Sequence, residues 1–222
     1  MHAAFLDLDG CLVDSSRAIP FAINAGLESV GLAPQPVDSL VQYVGPPLLA
    51  TYRELLSQQG ESPGRAEEAV QGYRAVYGGL ARQWTTVVEG IPAALQSLRS
   101  AGIRLVVVTS KPRVVAVPLL EHVELLDEFE EVVGPELSAL TEPKQVGLER
   151  ALHLVGRADG DRADTVMIGD TRYDIEAGHS CGTRTIGVTW GSGSPEELMA
   201  LGADRVVQRP RQIPVALHDL VA

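Results

Sequence analysis

Two carboxylates one residue apart stand near the start of the chain, in the segment FLDLDGCLVDSS at 5–16. An apolar run ends there in Asp7-Leu8-Asp9-Gly10. Side chains alternate along a strand, so Asp7 and Asp9 share a face while Leu8 turns into the core. Two like charges at the end of a buried strand repel each other. They are costly to hold unless a cation or a shared proton offsets them. A hard divalent ion with oxygen ligands meets that need, and Mg²⁺ suits one or two carboxylates together with a phosphate. Gly10 permits a sharp exit from the strand. Taken alone, the same residues also read as a solvated turn after a strand.

A second acidic pair lies in MIGDTRYDIEAG at 167–178, where an apolar run enters Gly169-Asp170 and Asp174 follows four residues on. If Asp170 opens a helix, the two acids lie near one face, at its positive end. The plain alternative is an N-cap at Asp170 with a first-turn acid at Asp174. A third segment, VVVTSK at 106–111, ends a β-branched run in Thr109 and Ser110. Hydroxyl and backbone N–H groups at such a point hold phosphate oxygens; a simple cap at Ser110 is the alternative. Lys144, in TEPKQVGLERAL at 141–152, begins a helical pattern. A cation there opposes the helix dipole, which is explained if it neutralises a bound anion and Asp7. A solvated surface lysine is the other reading.

These residues need rigid supports. Runs at 3–8, 103–109, 164–169, 183–189 and 204–207 are short and continuously apolar rather than alternating. That is the pattern of parallel strands covered on both faces. Helical patterns at 91–101, 112–122, 144–155 and 171–181 lie between them, and Ser194-Pro195-Glu196-Glu197 opens another with a capping box. The alternation predicts an α/β, doubly wound parallel sheet. Ligands bind such sheets at the carboxyl ends of the strands, where both acidic pairs fall. Residues 15–85 differ: they contain no strand pattern and read as helices at 15–30, 46–59 and 65–82. The expected organisation is a core domain at 1–14 and 86–222 with an inserted all-helical cap domain at 15–85.

Composition narrows the function class. The 222 residues carry 29 acidic and 18 basic side chains, a net charge of −11, which disfavours nucleic acid and anionic lipid as partners. Two cysteines in a chain of this length give no disulfide framework. No apolar stretch is long enough to span a membrane. A cytoplasmic setting, a monomer or homodimer, and a small phosphorylated metabolite as partner are the expectations.

The four segments, in this order and with a helical insert after the first, resemble haloacid dehalogenase-like phosphatases with a helical cap. The YVGPPL stretch at 43–48 resembles cap segments of the phosphoglycolate phosphatase-like members. The resemblance implies that Asp7 attacks phosphorus and becomes an aspartyl-phosphate. It implies that Asp9 protonates the leaving oxygen and then activates water. Mg²⁺ would be held by Asp7, the backbone carbonyl of Asp9 and Asp170, with Asp174 in support. Thr109 and Lys144 would hold the phosphoryl oxygens, helped by backbone N–H groups around Gly10 and Ser110, and Gly45 and Pro46 would shape a loop facing the phosphate. Three positions depart from the family pattern: Cys11 replaces a frequent Thr, Ser110 a frequent Asn, and Pro143 precedes Lys144 rather than following it. Lys111 is the alternative phosphate-binding lysine. Asp9 separates phosphatases from dehalogenases, which do not need that acid. A phosphomutase such as the β-phosphoglucomutase type, or a catalytically silent binding module, are the other readings.

Overall fold

The computed structural model describes residues 2–160 and 162–221; Met1, Asp161 and Ala222, which include both ends of the expected core domain, lie outside the described residues. The chain runs β1 (Ala3–Leu6), β2 (Val13–Asp14), α1 (Ala18–Ser29), α2 (Val37–Leu40), α3 (Leu48–Gln58), α4 (Ala66–Trp84) and β3 (Thr86–Val87). It continues α5 (Ile91–Ser100), β4 (Arg104–Val108), α6 (Arg113–His122), β5 (Glu131–Val133), α7 (Lys144–Leu154), β6 (Thr165–Gly169), α8 (Arg172–Cys181), β7 (Arg184–Val188), α9 (Pro195–Ala200), β8 (Arg205–Val207) and α10 (Ile213–Val221).

Six strands form a parallel sheet in the order β5-β4-β1-β6-β7-β8. The continuous apolar runs are explained by burial on both sides. Along β1, Ala4 and Leu6 join one core cluster while Ala3 and Phe5 join the other; Val107 and Val106 divide the same way on β4. The sheet is therefore an α/β core with helices over each face. Leu6 pairs in register with Val107 on β4 and Ile168 on β6. Asp7, Thr109 and Asp170 thus emerge side by side at the carboxyl edge, and the Asp7 amide still donates to the Ile168 carbonyl at 2.9 Å.

Helices α1 to α4 form the insert, with α1 packed along α4 around Ile23, Leu27, Tyr52 and Val70. The Tyr52 hydroxyl donates to the Ile23 carbonyl at 3.0 Å, tying α3 to α1. The two connections between insert and sheet pair with each other as the antiparallel ladder of β2 with β3.

The sequence did not lead us to expect α2, β5, the β2–β3 ladder or α10. β5 has only three residues at the sheet edge, and its Glu131 is half-buried and bonded to Arg113, so it lacks an apolar run. Among the described residues no helix is long and apolar enough to cross a membrane.

Candidate active site

Among the described residues the buried aspartates and the buried lysine gather at the carboxyl edge of β1. Asp7, Asp9, Thr109, Lys144, Asp170 and Asp174 are all at least nine-tenths covered. Lys144 Nζ lies 2.7 Å from Asp7 Oδ1 and also contacts Asp174. Its placement at the first residue of α7, unfavourable for the helix dipole, is thus repaid by two carboxylates. Burial opposes the lysine charge, but Asp174 and Asp7 outweigh it and its pKa is raised.

Asp170 precedes α8 rather than capping it. Thr171 is the N-cap, and its amide and hydroxyl donate to Asp174 Oδ2 at 2.9 and 2.7 Å. Asp170 is left to point into the site. The Ser192 amide and hydroxyl donate to its Oδ2 at 2.7 and 2.9 Å, while its Oδ1 is buried without a hydrogen-bond partner among the described residues. Backbone crowds this carboxylate closely. A Cβ on Gly191 would lie 2.1 Å from Asp170 Oδ2, and one on Gly10, whose φ is +79°, would lie 2.4 Å from it.

One oxygen from each of Asp7, Asp170 and Asp174 falls within 4.8 Å of the others. Burial pushes the Asp7 carboxyl up to about 8 against the pull of Lys144, with the charges of Asp174 and Asp170 adding to the rise. Burial and the Asp174 charge push Asp170 up to about 7, opposed by the Ser192 donors and Lys144. Carboxylates that resist ionisation, one with an orphaned oxygen, are the donor set that a hard divalent cation satisfies. The residues fit Mg²⁺.

Asp9 stands apart from this cluster. Its Oδ1 accepts from the Ser15 hydroxyl at 2.7 Å and its Oδ2 pairs with Lys111. Its carboxylate is therefore not among the grouped metal donors. Lys111 also lies 4.8 Å over the ring of Tyr77 from α4. The two lysines that sequence reasoning offered as alternatives occupy different places: Lys144 serves Asp7 and Lys111 serves Asp9.

A cavity of about 410 Å³ opens between sheet edge and insert. Asp7, Asp9, Thr109, Ser110, Lys111, Gly45 and Pro46 line it. Neither Ser110 nor Asp170 is a helix cap; Pro112 precedes α6. The Gly10 amide donates to the Val13 carbonyl at 2.8 Å within the turn after β1. Gly10 also provides the clearance for Asp170. Sequence reasoning missed Ser15, Ser192 and Tyr77. The only signal for Ser192 was GSGS at 191–194 directly after an apolar run, which reads as a loop and cap.

The family model described as haloacid dehalogenase-like hydrolase matches residues 4–188. The chain belongs to the haloacid dehalogenase-like hydrolase family. Relatives within it carry different activities in their names. A phosphoglycolate phosphatase of Cupriavidus necator is 32% identical over 97% of this chain and 92% of that protein. The tyrosine-protein kinase PtkA of Mycobacterium tuberculosis is 36% identical over 84% of this chain and 62% of its own length. The crystal structure of a predicted phosphatase from Clostridium acetobutylicum superposes with a TM-score of 0.89, at 30% identity, covering 99% of this chain and all of that one.

Proposed function

We propose that the protein is a Mg²⁺-dependent phosphatase that hydrolyses a small phosphomonoester through an aspartyl-phosphate on Asp7. Family membership and the phosphatase relatives place it among phosphoric monoester hydrolases. The observation that carries the mechanism is the separation of two carboxylates on one cavity floor: Asp7 against Lys144, Asp170 and Asp174, and Asp9 apart from them beside Ser15. One acid is built into the Lys144 and metal-binding surround; the other is held apart from it by Ser15 and Lys111, on the leaving-group side.

In the first step an Asp7 oxygen bonds to phosphorus, the bond to the ester oxygen breaks, and Asp9 gives that oxygen its proton. In the second, Asp9 takes a proton from water, the water oxygen bonds to phosphorus, and the Asp7–phosphorus bond breaks to release phosphate. Lys144 and the Thr109 hydroxyl stabilise the charge on the equatorial oxygens. Mg²⁺, held by Asp7 and Asp170, would supply electrostatic relief between nucleophile and phosphate. Ser192 fixes the orientation of Asp170.

Phosphate release from a panel of phosphomonoesters tests the reading, with Mg²⁺ and with EDTA. Release is expected only with the metal, and Asp7→Asn is expected to lower it by about 10³-fold or more. Substantial activity in that variant, with its fold intact by circular dichroism, would remove Asp7 as the nucleophile.

A further inference from the structure

The cavity above the carboxylates is larger and more apolar than a two-carbon acid requires. Its volume of about 410 Å³ is room for roughly a dozen waters, at about 30 Å³ each. Away from the polar floor its walls include Ile19, Leu49, Val70, Tyr73, Leu119 and Leu140. Tyr73 and Tyr77 of α4 stack with ring centroids 5.0 Å apart, beside the lining. Two of the large apolar side chains left exposed by the fold, Val114 and Leu137, also belong to the lining.

Two of the three cations on the lining are engaged within the protein, and the third lies at its solvent side. Lys111 is paired with Asp9, Arg74 donates to the Leu137 carbonyl at 2.9 Å, and Arg82 is exposed to solvent. A carboxylate carried into the space between α4 and α6 would lose water against hydrocarbon, which is costly. A hydrocarbon group there would gain by displacing poorly held water.

We propose that the alcohol released from the substrate is apolar, a medium-chain alkyl or ring-bearing alcohol whose body sits between α4 and α6. This rests on the phosphatase reading and names its substrate class. Primary alkyl phosphates of graded length test it, because their leaving groups differ little in acidity. From ethyl through butyl to hexyl phosphate, kcat/KM is expected to rise about fourfold per methylene while the cavity accommodates it, and by tenfold or more overall. Hexyl and phenethyl phosphate should both exceed phosphoglycolate and glycerol phosphate. A flat series, or phosphoglycolate ahead of hexyl phosphate, would overturn the proposal.

Calorimetric binding of methyl- and hexylphosphonate in Mg²⁺ separates the two readings. Tighter hexylphosphonate binding without turnover of any ester keeps the apolar seat and removes the phosphatase. Turnover of esters with equal phosphonate affinities keeps the phosphatase and removes the seat. In the Val114→Asp, Leu137→Asp double variant, changed at exposed positions that the fold tolerates, the hexyl-to-ethyl ratio should fall at least fivefold; an unchanged ratio overturns the placement.

Discussion

The floor and the walls of the cavity are made of opposite materials. The floor is built of buried polar and ionisable groups: Asp7 after β1 and Thr109 after β4 line it, backed by Asp170 after β6 and by Lys144 from α7. The walls are helix faces carrying Val70, Tyr73, Leu119 and their neighbours. The charges lie on a sheet whose neighbouring strands hold each other in register, so their mutual distances are fixed to hydrogen-bond precision. The walls need only shape and apolar area, which helices supply without strict register. The difference separates the two tasks of the site: floor residues set whether a reaction occurs, and wall residues set which leaving group is accepted.

Changes to the floor should therefore be severe and indifferent to substrate. Beside Asp7→Asn, the largest is Lys144→Met, which leaves Asp7 and Asp174 buried without their cation. Activity is expected to fall about 10²- to 10³-fold for every ester, and stability by about 3–5 kcal/mol in urea titrations. A loss confined to some esters would erase the floor–wall distinction. Next is Asp170→Asn, for which the Mg²⁺ concentration giving half-maximal activity should rise about 10²-fold; an unchanged metal response would take Asp170 out of the metal's surroundings.

Lys111 sits where floor meets wall, between Asp9 and the Tyr77 ring. Replacing it with Gln should leave Asp9 held by Ser15 alone and lower kcat about tenfold, within the cost of a misplaced catalytic group. The shift in substrate ranking should be small, since the apolar walls are untouched. A variant with full kcat would make Lys111 a packing residue only.

The last effect is on stability alone and leaves the substrate ranking untouched. Asp7, pushed up to about 8, and Asp170, pushed up to about 7, both start from an ordinary value of 3.8. Between about pH 4 and 8 the folded chain binds more protons than the unfolded one, so metal-free stability falls as pH rises through that window. The thermal midpoint in EDTA should drop by roughly 10 °C or more from pH 5.5 to 8, at about 1.4 kcal/mol per pH unit and group and about 2–4 °C per kcal/mol. Mg²⁺ replaces those protons and should raise the midpoint more at pH 8 than at pH 5.5. A midpoint in EDTA that rises over this range would mean that the acidic floor is already balanced without the metal.

Much of this floor could be read before the fold was seen. The spacing of Asp7 and Asp9, the strand-like runs at 103–109 and 164–169, and the helix at 144–155 all found counterparts in β1, β4, β6 and α7. The parallel α/β sheet followed from apolar runs without alternation. β5 escaped because an edge strand of three residues has no such run, and α10 because its pattern at the chain end was not distinguished from loop. Ser15 and Ser192 escaped because a serine hydroxyl binds whatever carboxylate the fold brings to it, and the partner of Ser192 lies 22 residues away.

By itself the sequence determined which residues could carry charge and which segments could be strands, because residue type and apolar periodicity are local properties of the chain. The tertiary structure decided the pairings. It assigned Lys144 to Asp7 and Asp174, and Lys111 to Asp9, a choice that depends on how α7 and the loop after β4 approach the sheet edge. It turned the Gly10 amide to Val13, because the chain closes a turn there before entering the insert. It also made the apolar cavity, which exists only where α4 and α6 face each other across the floor. Those are long-range contacts, and no spacing along the chain encodes the distance between two elements that meet only when folded.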